Sequence, residues 1–478
     1  MPISRISSSQ TYSRVLSGLH LNTARLLRSQ EQLSSGLRFQ LPSDDPGAAR
    51  RVLDLQARLA SSVRAQDALA SGEQVLGEGA GRLLDASGLV AEAREHLIQA
   101  MNGVLDPDSR ALIGGELRSI RDELLRLANS SLDGNSLFAG SKTGTQPFEI
   151  QTQGGVERVV YAGDGESQAI EVDGNRTPIT LSGLDIFAAF EPTGVTLVGT
   201  TGLGLGTTAN QGTGSAEIQI RSDGVDVSAL GGVGISATGS LESSLVGTQL
   251  VSIDATAGTI RLGDGAAVEI PDLGSPEAAN FQLTGSGGAT VQLDLSGWDG
   301  TSTTEPVTGT ASISFDGGPF TSLDTSNTDL RLVAPDGERV VHVDATAVQS
   351  AGRELVHFTG AENLFDLLEG VANDLESSEE FGVDELQDRL GLRLEELGRH
   401  LNSVGVGLGT LGARTQRLED SRNSHASVEL STRQRLSDVQ DADISEVVLD
   451  LQQSQSALQL SQAAGSRLLQ TSLLDFLR

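Results

Sequence analysis

Residues 444–476, with the sequence ISEVVLDLQQSQSALQLSQAAGSRLLQTSLLDF, decide the fold. Apolar side chains recur there at alternating steps of four and three residues, which is the spacing of a helix that packs along other helices. Only Arg467 and Asp475 are charged between residues 451 and 477, although a solvated helix usually carries many Lys and Glu side chains. The stretch therefore predicts a long helix that other chains cover, as in a protein that assembles.

A second helix of the same character is predicted near the other end of the chain, over residues 3–37. It is rich in Ser, Gln and Leu, and Gly36 supplies the left-handed residue that commonly follows the end of a helix. Because both terminal helices have weak apolar faces, we expect them to pair. The candidate assembly interface comprises their seam residues Leu19, Leu26, Leu33, Ile444, Val448, Leu451, Leu458, Leu469 and Phe476.

The first connection contains the sequence LPSDDPG at residues 41–47. Pro42 stops any helix there, Ser43 or Asp44 can cap the next helix, and Pro46 suits its first turn. An aspartate precedes the C-terminal helix in the same way and is interpreted as its cap. The candidate turn and cap residues are Pro42, Asp44, Asp45, Pro46 and Asp443.

Apolar periodicity predicts further helices on both sides of a central region without it. A cluster of glycines at 72, 77, 79 and 81, and a glycine-rich interval before residue 411, predict interruptions of the pattern. The predicted helices are 46–75, 83–101, 106–129, 364–375, 383–404, and 411 to the end with a break near Gln440.

The central region, residues 141–360, has the composition of antiparallel β-structure. It is rich in Gly, Thr, Ser and Val, with short alternating runs between Asp-Gly and Gly-rich turns. It carries 27 acidic but only eight basic residues. The Gly-rich stretch near 193–214 is a candidate seam between two β-subdomains, and the glycines show no fixed repeat period.

The predicted fold class is therefore α+β. Long N- and C-terminal helices pair in a coiled-coil-like bundle, and an antiparallel β-rich domain, with two candidate subdomains, is inserted between them and projects from the bundle. The predicted domains are residues 1–140 and 361–478, the two halves of the helical core, and the insert at 141–360.

Composition excludes several functions. The chain has no Cys, which rules out disulfides, thiol catalysis and Cys-ligated metals. Its net charge of −31 disfavours nucleic acid and anionic membranes as partners, and no apolar run approaches the ~20 residues of a membrane span. Aromatic residues make up only 3%, which is low for a pocket that binds substrate. We expect no membrane insertion, and no Sec-type signal peptide because the N-terminus is Arg-rich without an apolar core.

No motif predicts a catalytic, metal or cofactor site. Residues 407–412 match GxGxxG, but they follow a helical pattern rather than a strand, so a helix interruption is the better interpretation. The six His residues form no HExxH motif. Residues 441–446 lack the glycine and the later glutamate of a calcium loop.

Several short motifs, in order along both helical flanks, resemble those of the flagellin superfamily. Each is weakly specific alone, but together they cover both ends and over half of the chain. They are residues 5–10, 33–38 followed by 42–46, 136–140 through 147–148, 411–414 with 417–419, 439–443 and 472–477.

This resemblance implies a structural subunit of the bacterial flagellum, located outside the cell and exported without a cleaved signal peptide. Within the superfamily the chain is most similar to the subunits that form the hook–filament junction and seat the filament. The implied partners are further copies of the chain in a ring or helical assembly, another hook-associated protein, flagellin, and an export chaperone at the C-terminal segment.

Two alternatives remain open. The chain could be a filament flagellin, which would be far more abundant than a junction subunit. The β insert could carry hydrolase activity, although no Ser/His/Asp grouping is readable in it. The sequence favours a protein that is not an enzyme.

Overall fold

The computed structural model describes residues 8–153, 156–188, 194–237 and 243–476. The helices in these ranges are α1 Ser8–Ser35, α2 Pro46–Ala100, α3 Pro107–Ala128, α4 Pro276–Ala279, α5 Leu364–Glu376, α6 Val383–Gln440 and α7 Ile444–Phe476. Single 3₁₀ turns occur at Gly183–Asp185 and Ser378–Glu380. Among the described residues, none of the helices combines the length and hydropathy that crossing a membrane requires.

The strands all lie between α3 and α5 in the chain. They are β1 Ser131–Leu132, β2 Asn135–Ser136, β3 Phe148–Gln153, β4 Val156–Tyr161, β5 Ala169–Val172, β6 Asn175–Pro178, β7 Gly194–Gly199, β8 Gly204–Leu205, β9 Ser215–Asp226, β10 Gly234–Ile235, β11 Gly247–Asp254, β12 Thr259–Leu262, β13 Val268–Glu269, β14 Phe281–Thr284, β15 Thr290–Asp294, β16 Thr303–Phe315, β17 Thr321–Ser322, β18 Leu330–Val333, β19 Val340–Asp344 and β20 Gly352–Thr359. The strand pairs of the three larger sheets, together with β1–β2 and β3–β4, are antiparallel. The predicted α+β class, with paired terminal helices and an inserted antiparallel β domain, is confirmed.

The chain divides into two compact units. Unit 1 comprises Met1–Gly72, Glu171–Arg176 and Gln416–Arg478, and it holds α1, α7, the first part of α2 and the last part of α6. Unit 2 comprises Glu73–Ile170 and Thr177–Thr415, with the other helices and nearly all of the strands. The three predicted domains follow changes in composition and stay a prediction.

Helices α2 and α6 are longer than predicted. The sequence predicts an interruption in each at its glycines, and this is wrong because both helices run through without a break. A Cβ added at Gly79 would lie 3.6 Å from Leu411, and one added at Gly407 would lie 3.2 Å from Leu83. Each glycine costs about 1 kcal/mol in a helix. The missing side chains let α2 and α6 approach closely enough to bury leucines, so packing outweighs local propensity.

The largest sheet of unit 2 has the strand order β13-β12-β11-β16-β9-β20-β7, with β17 also paired to β16. Two three-stranded sheets, β18-β19-β8 and β14-β15-β10, accompany it. Buried side chains form two separate β cores, one with Ile218, Ile313, Val341 and Val356, the other with Val251, Ile260, Leu283, Val291 and Val307. Residues 194–214, part of the stretch predicted as a seam, contain β7 and β8 and contribute to the first core.

Candidate assembly interface

Helices α1 and α7 pack against each other within unit 1. The Asn22 amide Nδ2 donates a hydrogen bond to Ser461 Oγ at 3.0 Å. A Cβ added at Gly465 would lie 3.6 Å from Val15 Cγ1, so small residues permit close approach here. The predicted pairing of the terminal helices is therefore confirmed.

The contact face of α7 differs in part from the predicted seam. Leu451 and Leu458 are half-buried as members of the seam, but Ile444 and Val448 remain 48% and 36% exposed. In the described part of α7 the buried or half-buried positions are Val447, Leu451, Ser454, Leu458, Ser461 and Gly465, again at steps of four and three, together with Ala457. The prediction took the stripe through Ile444 because it contains more large apolar residues. The side chains of Leu469 and Phe476 lie outside the described part of the chain.

On α1, Leu19 and Leu26 are half-buried, whereas Leu33 is 40% exposed. Ser29 is buried on the same helix, and its hydroxyl donates to the Arg25 carbonyl at 3.1 Å. The chain's own helices thus cover only part of the candidate interface.

Unit 1 leaves many large apolar side chains exposed. Single exposed leucines are ordinary on a protein surface, but a concentration on two paired helices indicates an interaction surface. The exposed large apolar residues of unit 1 are Leu16, Leu21, Leu27, Leu33, Leu41, Leu53, Val63, Val428, Leu430, Ile444, Val448, Leu449 and Leu460.

Two backbone hydrogen bonds join the end of α1 to the α6–α7 turn. The Arg38 amide donates to the Gln440 carbonyl at 2.8 Å, and the Ala442 amide donates to the Gly36 carbonyl at 2.9 Å. Gly36 has a φ of +70°, as predicted for the residue that ends α1. This pairing fixes where both terminal helices begin their contact.

Asp45, rather than Ser43 or Asp44, caps α2. Its carboxylate accepts the Ala48 amide at 2.9 Å and the Arg38 guanidinium at 2.9 Å. The hydrogen bond from the Ala48 amide is the larger cause, and the hydrogen bond from Arg38 the second, that holds the pKa of Asp45 below its ordinary value. Asp44 instead accepts the Leu41 amide at 3.2 Å and closes the turn. The cap lies one residue later than predicted because Asp44 is used within the turn itself.

The remaining turn and cap candidates lie at the start of α2 and of α7. Pro42 and Pro46 are exposed, and Pro46 is the first residue of α2. The Asp443 carboxylate accepts the amides of Ser445 at 2.9 Å and Glu446 at 3.3 Å. This is N-cap geometry, in which a side chain satisfies amides that have no partner inside the helix.

In unit 1, α2 and α6 also pair through polar side chains. The Ser62 hydroxyl donates to the His425 carbonyl at 2.9 Å, and the Gln66 amide donates to Glu429 at 2.5 Å. Arg433 pairs with the same Glu429 carboxylate. Four helices therefore contribute to the described part of unit 1, with their apolar residues only partly covered.

A buried ionic cluster in unit 2, which was not predicted from the sequence, ties α5 and α6 to the β strands. Arg393 of α6 contacts Glu362 at 2.7 Å, Asp374 of α5 at 3.2 Å and Ser215 of β9 at 2.8 Å. All four are buried or half-buried. Burial alone would lower the pKa of Arg393, but the carboxylates of Glu362 and Asp374 raise it above its ordinary value.

A signal for this cluster is present in the sequence. One stripe of buried positions on α6 recurs at steps of four and three residues, and two of its members are polar. The stripe is Leu386, Leu390, Arg393, Leu397, His400 and Val404, and Glu385, Arg389 and Glu396 are buried beside it. A charged residue in an apolar seam requires a buried partner, so the pattern points to Arg393 and His400.

The geometry offers no support for a metal or nucleotide site in the described residues. No group of three or more His, Asp or Glu side chains there could hold a metal ion. Residues 407–412, which match GxGxxG, lie inside α6 rather than between a strand and a helix.

Paired terminal helices around an inserted β domain define the class of protein that the chain resembles, the flagellin-like structural proteins of the bacterial flagellum. Residues 6–143 match the family model for the bacterial flagellin N-terminal helical region. The predicted resemblance to the flagellin superfamily is thereby confirmed.

Among individual proteins, the chain is similar to flagellar hook-associated protein 3 of Salmonella typhimurium. The two are 34% identical over 177 residues, which are 37% of this chain and 54% of that protein. Flagellin B of Vibrio cholerae is 27% identical over 172 residues, which are 35% of this chain and 44% of that protein. The chain thus spans about half the length of the curated relatives it matches.

Solved structures show a more distant likeness. Flagellar hook associated protein-3 from Legionella pneumophila is 16% identical with a TM-score of 0.43, over 80% of this chain and 98% of that chain.

Proposed function

We propose that the protein is a structural subunit of the bacterial flagellum that forms the hook–filament junction and seats the filament. The observation that carries this proposal is the pair of terminal helices whose apolar side chains are only partly covered. The 34% identity to a flagellar hook-associated protein 3 supports the junction role. The relatives carry the names of structural flagellar proteins, and we propose a role without enzymatic activity here too.

Assembly would complete the burial of the terminal helices. Fully burying a Leu, Ile or Val side chain contributes about 1.5–3 kcal/mol, so a few exposed seam residues suffice to drive a stable contact. Residues such as Leu27, Leu449 and Leu460 are more than half exposed and therefore have this energy still to gain. The half-buried Leu451 and Leu458 would set the pairing within one subunit on which these contacts depend.

The partners follow from the proposed position. Copies of the chain would contact one another around a ring or helical assembly, with another hook-associated protein on one side and flagellin on the other. An export chaperone would cover the C-terminal segment before assembly, because its exposed apolar residues would otherwise promote aggregation. The protein would act outside the cell, after export without a cleaved signal peptide.

A deletion strain tests this role. We expect non-motile cells with bare hooks and with flagellin monomers released into the medium, because the filament has nothing on which to seat. Swimming should return when the intact gene is supplied in trans. Normal swimming of the deletion strain, with no second copy of the gene in the genome, would contradict the proposal.

The second candidate is a filament flagellin, which the match to flagellin B of Vibrio cholerae favours. The same strain separates the two roles. Loss of the main extracellular protein, without release of any other flagellin, would mean that this chain builds the filament. A junction subunit would instead be a trace component of sheared flagella.

A further inference from the structure

The two β cores of unit 2 are built from strands in the same order. In the first, the sheet order is β7-β20-β9-β16-β17, and in the second it is β9-β16-β11-β12-β13. Each is accompanied by a three-stranded sheet, β8-β19-β18 in one and β10-β15-β14 in the other. Taken along the chain, every strand of the first core has a counterpart in the second, with the same neighbours.

The loops that enter the three-stranded sheets also match. The sequence Gly-Leu-Gly-Leu at residues 202–205 corresponds to Gly-Val-Gly-Ile at residues 232–235. Gly202 and Gly232 have φ values of +91° and +74°. A Cβ at either would lie close to a backbone carbonyl oxygen, 2.2 Å away at Gly202 and 2.1 Å away at Gly232. Each core therefore requires a glycine at the equivalent position, because a side chain there would clash with the backbone.

The turns that leave the three-stranded sheets match in the same way. The Asp344 carboxylate accepts the Thr346 amide at 2.9 Å, and the Asp294 carboxylate accepts the Ser296 amide at 2.9 Å. In both turns the hydroxyl of the Thr or Ser also donates to that aspartate. Two residues after it, the Val348 amide donates to the Ala345 carbonyl at 3.2 Å, and the Trp298 amide donates to the Leu295 carbonyl at 3.0 Å.

The second core lies in the chain between two paired strands of the first. Ser222 of β9 is paired with Ala311 of β16, and all of the second core falls between these two residues. The counterpart of this strand pair in the second core is β11–β12, which closes in a tight turn from Asp254 to Thr259. The repeat is nested in this way, so its spacing along the chain is not constant and no fixed period is detectable.

We infer that residues 224–309 are a second copy of the β module formed by residues 194–223 and 310–359, inserted at a hairpin of the first copy and dispensable for assembly. We call these the nested module and the host module. The nested module carries its own buried core, and of the buried residues in the two cores Val246 alone belongs to the nested segment while packing in the host core. The inference about assembly rests on the proposed junction function; the inference of a separate module does not.

The structure supplies the design of an excision variant. In the nested module Asp254 and Thr259 are paired and enclose the turn Ala255–Gly258, in which Gly258 has a φ of +70°. The host module already has an aspartate and a threonine at the corresponding positions, Asp223 and Thr310. Residues 224–309 are therefore replaced by Ala-Thr-Ala-Gly in the full chain, which closes β9 and β16 as the nested module closes β11 and β12.

We expect the purified excision variant to be soluble and to unfold cooperatively, with hydrogen-exchange protection of β18, β19 and β20 unchanged. The matched control removes the same number of residues in a shifted frame, 215–300, which cuts both cores and takes away β9 but keeps β18, β19 and β20, and it should lose that protection. In the full chain, Leu283→Asp should abolish protection of β14 and β15 while β18 and β19 stay protected. An aggregated excision variant, or loss of protection in β18 and β19 on Leu283→Asp, would overturn the separate module.

A strain lacking the gene then tests dispensability. The intact gene and the excision variant should restore swimming to the same extent. If the intact gene restores swimming and a folded excision variant does not, the nested module is needed for assembly and the inference is wrong on that point. If the deletion strain swims normally, the proposed function fails, while the folding measurements still decide whether the module is separate.

Discussion

At the scale of single residues, Asp45 and Asp443 show how far a sequence motif predicts geometry. The sequence predicts a capped helix after residue 42 and another after residue 443, and the structure has both. It could not predict that Asp45 rather than Asp44 is the cap, because both are aspartates before Pro46 and only the Arg38 contact and the turn hydrogen bond distinguish them.

Gly370 tests the buried ionic cluster of unit 2. A Cβ at this position would lie 2.7–2.9 Å from the guanidinium of Arg393, which is clamped between Glu362 and Asp374. Gly370→Ala should displace the guanidinium and cost about 3–5 kcal/mol, as when a buried ion pair is broken. Gly391→Ala is the matched control, since nothing lies within 4 Å there and alanine should stabilise the helix by about 0.5–1 kcal/mol. Calorimetry that shows the same shift for both variants would contradict this assignment.

His400 gives unit 2 a pH dependence. Its ring is buried, its Nε2 lies 2.9 Å from the Glu362 carbonyl, and burial lowers its pKa from the ordinary value of 6.5. The unfolded chain therefore takes up this proton at a higher pH than the folded chain. The contribution of His400 to stability is full above pH 6.5 and declines as the pH falls below that value.

The measurement is the thermal midpoint at about pH 7.5 and about pH 5.5, on either side of the ordinary histidine pKa. His400→Gln should lose less stability over this range than the unsubstituted chain. His20→Gln, at an exposed position of α1, is the control and should leave the dependence unchanged. An unaltered pH dependence of His400→Gln would contradict the assignment.

At the scale of elements, apolar spacing predicted which segments are helical, but not how long each helix is or which face it buries. The glycines of α2 and α6 lower local helix propensity, and only the packing partner on the facing helix explains why both helices continue. On α7 two apolar stripes lie side by side, and the choice between them depends on α1. The pairing of β strands that lie far apart in the chain could likewise not be predicted from one sequence.

Leu458→Asp tests the pairing of α1 and α7. The substitution places a charge at a half-buried seam position, so it should separate the helices and abolish assembly while the β domain stays folded. Gln459→Asp introduces the same charge at the neighbouring exposed position and should still assemble. Assembly is measured by recovery of motility, and β folding by hydrogen-exchange protection of β9 and β20. If the Leu458→Asp variant assembles normally, the assignment of Leu458 to the seam is wrong.

At the scale of the whole molecule, the chain combines terminal helices that are incompletely covered with a β region in which one strand arrangement occurs twice. The sequence predicted the first feature from low charge and seam spacing. It did not predict the second, because nesting removes the fixed period by which repeats are normally recognised. The flagellar role itself depends on both the exposed helices and the similarity to hook-associated proteins.

The position of the protein in the flagellum is the most direct test of that role. Flagella are sheared from cells and labelled with gold-coupled antibodies raised against the β insert, and the label is located by electron microscopy. We expect one narrow labelled band between hook and filament on each flagellum, and no label on the bare hooks of the deletion strain. Label along the whole filament would show a flagellin instead, and label absent from intact flagella would contradict the structural role altogether.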